Sequence, residues 1–128
     1  MNRFLNLLVV GISLATIVSG LAQVVAPAFV LGMIGADITS TTAHFFAIVG
    51  MFMALFGGLM LHTVYSARSG TAAILWCALQ KLGACVAVGV GILHGIFSGM
   101  AAGVAAFDLL SGVLFLYYLK TIKSGESA

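Results

Sequence analysis

Residues 76–86 read WCALQKLGACV and place Gln80 and Lys81 in the middle of a run that is otherwise apolar or small. The chain has 128 residues, of which 62% are apolar and only 6% are charged. Water-soluble domains do not reach that composition, so the stretch predicts a membrane span with a lysine inside it. The sequence therefore indicates an integral membrane protein, and the partner of Lys81 becomes the first question about its fold.

Four long apolar stretches predict four transmembrane helices, because a helix needs about 20 residues to cross about 30 Å of hydrocarbon. The predicted spans cover residues 4–26, 43–67, 71–97 and 100–119. Pro27 breaks the first stretch, so residues 27–35 are expected along the interface, and residues 120–128 read as a short solvated tail. The predicted fold is all-α, an integral membrane four-helix transmembrane bundle that forms a single domain over residues 1–128.

Basic residues predict the orientation of the bundle. They mark the N-terminus, the second loop and the C-terminus, namely Arg3, Arg68, Lys120 and Lys123, whereas the first and third loops contain no Lys or Arg. Cytoplasmic segments carry the excess of basic residues, so both termini are expected to be cytoplasmic, in the inner membrane if the chain is bacterial. Arg3 with the apolar run and Gly20 and Ala22 also fits a secretory signal, but the run continues to Gly35, which favours a retained first span.

Small residues recur at every fourth position in the first three spans. There is little hydrophobic drive between helices in lipid, so close backbone approach at such positions supplies packing energy. In the third span, Cys77, Lys81 and Cys85 form a second face about 200° round from the glycines, so that this helix is either sandwiched in its own bundle or meets another subunit. The predicted helix-packing positions are Gly11, Ala15 and Ser19; Gly50, Ala54 and Gly58; and Gly83, Ala87, Gly91, Gly95 and Gly99.

Asp108 in the fourth span is the predicted partner of Lys81. Counted from the predicted cytoplasmic interface at 1.5 Å per residue, both residues lie roughly 18–20 Å deep on neighbouring antiparallel helices. An insertion cost of about 2.5–3.5 kcal/mol for each charge is partly offset by pairing. The sequence predicts a buried Lys81–Asp108 ion pair, with a hydrogen bond from Ser111 and with Cys85 nearby. The pair either fixes helix register or forms a polar site for a proton, ion or small polar ligand.

Two histidines raise the question of a cofactor. His44 and His94 are predicted at one level near the outer face, where two facing imidazoles can hold a b-type haem or a metal. Interfacial histidines that contact water and headgroups are commoner, so no cofactor is expected and haem b stays the alternative. The chain has no phosphate-binding loop, CxxC, HExxH or nucleophile elbow, and no catalytic residue is predicted.

Several features carry a resemblance to a known group of proteins. Pro27 followed by Leu31 and Gly32, the glycine-rich second span, Lys81, and VAAFDLLSGVLFLYYL at residues 104–119 resemble small uncharacterised bacterial membrane proteins with four helices, grouped as domains of unknown function. The resemblance implies a fold and not an activity. The size is also similar to that of the small multidrug-resistance transporters, but those rely on a glutamate in the first helix. The polar residues of the first span here are Asn6, Ser13, Thr16, Ser19 and Gln23.

The expected function is that of a non-enzymatic structural or accessory subunit, which self-associates or packs into a larger membrane complex. Short loops leave little outside the bilayer for a partner to bind. The alternative is a small transporter or ligand-binding membrane protein with Lys81 and Asp108 as its polar site. The net charge is only +2 and the basic residues are scattered, which argues against nucleic acid as a partner and leaves the lipid bilayer and other membrane proteins.

Overall fold

The computed structural model describes residues 3–66 and 70–127, and these residues form helices without any strand. The helices are α1 (Arg3–Val25), α2 (Pro27–Met33), α3 (Ser40–Tyr65), α4 (Thr71–Leu93) and α5 (Ala101–Ser127). All but α2 are long and apolar enough to cross a membrane. The prediction of an all-α chain with four such helices is confirmed. Arg68, which was expected to mark the second loop, lies outside the described residues.

Glycines end two helices at the same end of the bundle. Gly95 has φ +73°, and the Ile96 N–H donates to the Gly91 carbonyl at 2.9 Å, which forms a Schellman motif. Gly35 ends α2 in the same way, with φ +71°. As a result α4 stops at Leu93 rather than at residue 97, so that Gly95 and Gly99 lie outside the helix. At the other end of the bundle, α5 continues through the predicted tail to Ser127.

The bundle consists of two closely packed helix pairs, α1 with α3 and α4 with α5. The pairs approach each other much less closely, along α3 and α4 and along α1 and α5. In the described chain the backbones of α1 and α4 do not approach each other closely, and neither do those of α3 and α5. In each of these two combinations the helices therefore lie diagonally opposite each other in the bundle. Contacts that link the two pairs are therefore few, and each one matters for the arrangement.

Glycines bring the paired helices into backbone contact. A Cβ placed on Gly50 would lie 2.5 Å from the Gly20 carbonyl oxygen and 2.5 Å from Gln23 Cβ. A Cβ on Gly57 would lie 2.8 Å from the Ser13 carbonyl oxygen. Without side chains at these positions the two backbones approach closely, which is the main source of packing energy between helices in lipid.

An apolar core lies at the end of the bundle where α1 begins and α5 ends, named here the terminal end. Its residues come from the first turns of α1 and α4 and from the C-terminal halves of α3 and α5. The buried members are Leu5, Val9, Met60, Ile74, Cys77, Ala78, Phe115, Tyr118 and Leu119. At the opposite end, named the loop end, Ser98 N–H and Oγ–H donate to the Ile34 carbonyl at 2.8 and 3.1 Å. The two helix pairs are thus joined at both ends.

Candidate functional site

Lys81 lies between these two joins, near the middle of the bundle, and is only 3% exposed. Its Nζ donates to Thr16 Oγ1 at 2.7 Å and to Asp108 Oδ1 at 3.4 Å. The amine also lies 5.1 Å from the centre of the Phe107 ring, within the range of a cation–π contact. The predicted Lys81–Asp108 pair is present. Through its two hydrogen bonds Lys81 links α4 to α1 and to α5.

The tilt of side chains along a helix explains why the hydrogen bond from Lys81 to Thr16 is shorter than the one to Asp108. Cα–Cβ bonds in a helix tilt toward its N-terminus, so Lys81 leans toward the terminal end while Asp108, on the antiparallel α5, leans toward the loop end. The 3.4 Å separation of Nζ and Oδ1 therefore exceeds the about 2.8 Å of a close charged hydrogen bond. Thr16 lies on α1, which runs parallel to α4, and leans the same way as the lysine.

Thr16 is the residue that the sequence analysis did not identify as part of the site. Its hydroxyl donates to the Ile12 carbonyl at 2.9 Å, which leaves the oxygen lone pairs to accept from Lys81. A signal for it exists in the sequence, because Asn6, Ser13, Thr16 and Gln23 fall within about 100° of arc on α1. Of these, Ser13, Thr16 and Gln23 are buried in the structure.

The predicted hydrogen bond between Ser111 and Asp108 is not present. Ser111 is 1% exposed, and its Oγ has no hydrogen-bond partner among the described residues. The lean of Asp108 toward the loop end explains this, because Ser111 lies one turn nearer the terminal end. Ser111 is therefore a buried neighbour of the pair and not one of its ligands.

Cys85 was predicted to lie near the pair, but it is Cys77 that lines a cavity together with Lys81. Cys85 is half-buried and lies one turn nearer the loop end than Lys81, whereas the lysine leans the other way. Cys77 is 2% exposed, and its Sγ–H contacts the Phe56 carbonyl oxygen at 3.8 Å.

A small cavity in the interior of the bundle is lined in part by Lys81. The volume that the centre of a water molecule could occupy in it is about 10 Å³. The surface that faces it is almost wholly apolar, and its lining residues are Ser13, Thr16, Phe56, Gly57, Met60, Cys77, Gln80, Lys81 and Phe115. A cavity of this size holds at most one water molecule, so it does not accommodate an organic ligand.

Gly83 and Ala87, two of the small residues predicted to pack on α4, face away from the bundle. Gly83 and Ala87 are exposed, and a Cβ on Gly83 would meet nothing within 4 Å. Gly91 is buried, but its neighbour is the Phe97 ring of the following connection and not another helix. Gly95 and Gly99 also have open space around them.

The small residues predicted for α1 and α3 are placed partly on the packing faces. Gly50 and Ala54 contact α1 at Gly20, but Gly58 has open space and Gly57 makes the contact in its place. On α1 the residues Gly11, Ala15 and Ser19 are exposed. The buried residues of α1 follow a different spacing and are Leu5, Val9, Ser13, Thr16, Gly20 and Gln23.

This spacing explains the difference. Steps of four residues turn about 40° round a helix with each repeat, whereas alternating steps of three and four stay on one side. From Val9 onward the buried residues of α1 follow the alternating pattern, which is typical of transmembrane bundles. A stripe with steps of four leaves the contact face within a few turns.

His44 and His94 are both exposed and lie near the loop end. His94 caps α4 and His44 packs edge-on against Phe45, with ring centres 6.4 Å apart. Within residues 3–66 and 70–127 there is no group of three or more His, Cys, Asp and Glu that could hold a metal ion.

Comparison with known proteins finds no family model, no curated protein and no solved structure that matches this chain. The resemblance to small bacterial membrane proteins with four helices therefore stays a prediction.

Proposed function

We propose that this chain is a non-enzymatic structural or accessory subunit of a membrane protein complex. It acts within the bilayer, by packing against a second copy of itself or against a larger complex. The observation that carries the proposal is the outward direction of Gly83 and Ala87 on α4. The close pairing of α4 with α5 does not use this face. Small residues that face lipid let another helix approach closely.

The closed polar site supports the same proposal. Lys81 has oxygen partners on α1 and α5, and the cavity that it helps to line holds at most one water molecule. An arrangement of this kind suits a brace between the two helix pairs. The exposed helix surface is then the part of the molecule that is available to a partner.

The proposed orientation has both termini on the cytoplasmic side, in the inner membrane if the chain is bacterial. Arg3, Lys120 and Lys123 all belong to the terminal end, since the start of α1 and the end of α5 pack in one core. Residues 34–39 and 94–100, at the loop end, contain no Lys or Arg. This asymmetry supports the orientation through the positive-inside rule.

The alternative function is that of a small transporter or ligand-binding protein with Lys81 and Asp108 as its polar centre. It is favoured by the presence of an ionisable pair at membrane depth, because such residues often mark pathways for ions or protons. A pathway would need water to reach the lysine, and that requirement separates the two functions experimentally.

The double substitution Gly83→Leu and Ala87→Leu is expected to abolish association while leaving the fold stable. The intact wild-type chain, released from its own membrane in mild detergent, should give a native mass above that of one chain. The variant should lose about tenfold or more of that species, which corresponds to about 1.4 kcal/mol of association energy. Its unfolding free energy should stay close to that of the wild type, because both positions are exposed.

The matched control is the double substitution Gly11→Leu and Ala15→Leu, at exposed positions with the same spacing on α1. It should leave the mass of the complex unchanged. A wild-type chain that runs as a bare single-chain mass, or an equal loss of the complex in both double variants, would contradict the assignment of the interface to α4.

A further inference from the structure

A groove on the surface of the bundle runs along the last turns of α5, at the terminal end. Its volume is about 550 Å³, and its wall is part polar and part apolar. The described residues that line it are Leu116, Leu119, Lys120, Lys123 and Ser124. The leucines come first along α5 and the lysines and the serine follow, so the groove has an apolar half nearer the middle of the bundle and a polar half nearer the end of the helix.

The position of the groove along α5 gives its two halves different surroundings. Lys120 and Lys123 lie 12 and 15 residues beyond Asp108, which corresponds to about 18 and 22 Å along the helix axis. Asp108 pairs with Lys81 near the middle of the bundle, and half of the hydrocarbon layer is about 15 Å thick. A bilayer centred on this pair would put the two lysines of the groove among the lipid headgroups and Leu116 near the edge of the hydrocarbon.

The aromatic side chain at this level agrees with that depth. Tyr117 is 57% exposed, and tyrosines that face the surroundings of a membrane protein are enriched where hydrocarbon meets headgroups. Tyr117 lies three residues before Lys120, which is about 4.5 Å along the helix. The groove therefore crosses from the apolar layer into the polar one.

Charge at the terminal end favours an anion as the occupant of the groove. Arg3, Lys120 and Lys123 are exposed at this end. The acidic residues of the chain are Asp37 at the loop end, Asp108 in the interior and Glu126 near the end of α5. Basic residues near a membrane surface attract anionic lipids and have no such preference for lipids without net charge.

The spacing of the two lysines suits a phosphate group. Lys120 and Lys123 are three residues apart on one helix, so their side chains are neighbours on its surface. Each ammonium can donate three hydrogen bonds, and lysine binds phosphate as a point charge. A phosphate between the two ammonium groups also offsets their mutual repulsion. Ser124 adds a hydroxyl to the same wall, which can donate a further hydrogen bond.

We propose that this groove binds an anionic phospholipid, whose phosphate contacts Lys120 and Lys123 and whose acyl chain lies against Leu116 and Leu119. A free phosphate ion would use only the polar half of the groove, whereas a phospholipid uses both halves. Basic pockets of membrane helices at this level bind anionic headgroups. The inference concerns α5 and is independent of the outward face of α4.

Binding can be measured on the full chain in an uncharged detergent, because a ligand of the folded state raises Tm as its concentration increases. Phosphatidylglycerol should act at lower concentration than phosphatidylcholine with the same acyl chains, by about fivefold for each lysine. Inorganic phosphate should raise Tm no more than chloride of equal ionic strength, since it has no chain to contact the leucines. Equal effects of the two lipids, or a specific effect of inorganic phosphate, would overturn the proposal.

Variants at exposed positions locate the site. Lys120→Gln with Lys123→Gln should remove the preference for phosphatidylglycerol, whereas Lys120→Arg with Lys123→Arg should keep it. Arg3→Gln is the control for Lys120→Gln alone, because it removes one charge from the same end but outside the lining of the groove. Without added lipid all of these variants should melt close to the wild type. A preference that survives in the double Gln variant, or one that Arg3→Gln weakens as much as Lys120→Gln does, would overturn the proposal.

Discussion

Replacing Lys81 by Met is expected to lower the free energy of unfolding by about 3–5 kcal/mol, because it leaves the Asp108 carboxylate buried without its cation. The substitution also removes the bond that joins α4 to Thr16 across the bundle. The unfolding free energy can be measured by steric trapping in bicelles. Lys120→Met is the matched control, since Lys120 is exposed, and it should change stability by less than about 0.5 kcal/mol.

The double substitution Lys81→Met with Asp108→Leu measures how much the interaction between the two residues contributes to stability, apart from the effect of each residue alone. Removing both charges takes away the unpaired carboxylate, so the double variant should be more stable than the Lys81→Met variant alone. Replacing buried pairs by apolar residues is often neutral or stabilising. Losses that simply add, with no coupling between the two positions, would show that the 3.4 Å contact contributes nothing.

The second large effect is expected at Gly50, where Gly50→Ala should cost about 1–3 kcal/mol by overpacking. The added Cβ would lie 2.5 Å from the Gly20 carbonyl oxygen. That atom belongs to the backbone and cannot rotate away, so α1 and α3 must separate. The same bicelle measurement of unfolding free energy applies.

Gly58 offers the control on the same helix. A Cβ on Gly58 would meet nothing within 4 Å, so Gly58→Ala should be neutral or stabilise slightly through its higher helix propensity. Equal losses at Gly50 and Gly58 would mean that any added methyl group perturbs α3, and they would contradict the close approach described for α1 and α3.

The main features of the interior follow from simple counting along the sequence. Hydropathy and length predict the four long helices, and comparing depths at 1.5 Å per residue brings Lys81 and Asp108 to one level. The cost of an unpaired charge in lipid then makes the pair the expected arrangement. Depth and charge depend only on local composition and helix geometry, so the folded protein keeps both.

Other features depend on how the helices face each other, which depth alone does not determine. Thr16 was missed because depth gives no information on which helix lies diagonally across from Lys81. Steps of four residues predict Gly58 as the contact, whereas the contact is made by Gly57, because Gly58 has turned away from α1. The end of α4 depends on the positive φ of Gly95, and a glycine in an apolar run does not reveal by itself that it stops the helix.

The lean of side chains accounts for the remaining differences at the site. When two Cα atoms lie at the same depth on antiparallel helices, their side chains still tilt in opposite directions, because each tilts toward the N-terminus of its own helix. This tilt directs Lys81 toward Cys77 rather than Cys85, and it turns Asp108 away from Ser111.

Access of water to Cys77 tests most directly whether the interior is a closed brace or a pathway. Cys77 lines the cavity beside Lys81, and a Cys85→Ser variant leaves it as the one thiol of the chain. The measurement is the rate at which a water-soluble, charged methanethiosulfonate reagent labels this thiol in intact membranes, compared with the unfolded chain. A closed brace predicts protection until the protein unfolds. Rapid labelling of the folded protein would contradict the account and would establish a water pathway to the lysine.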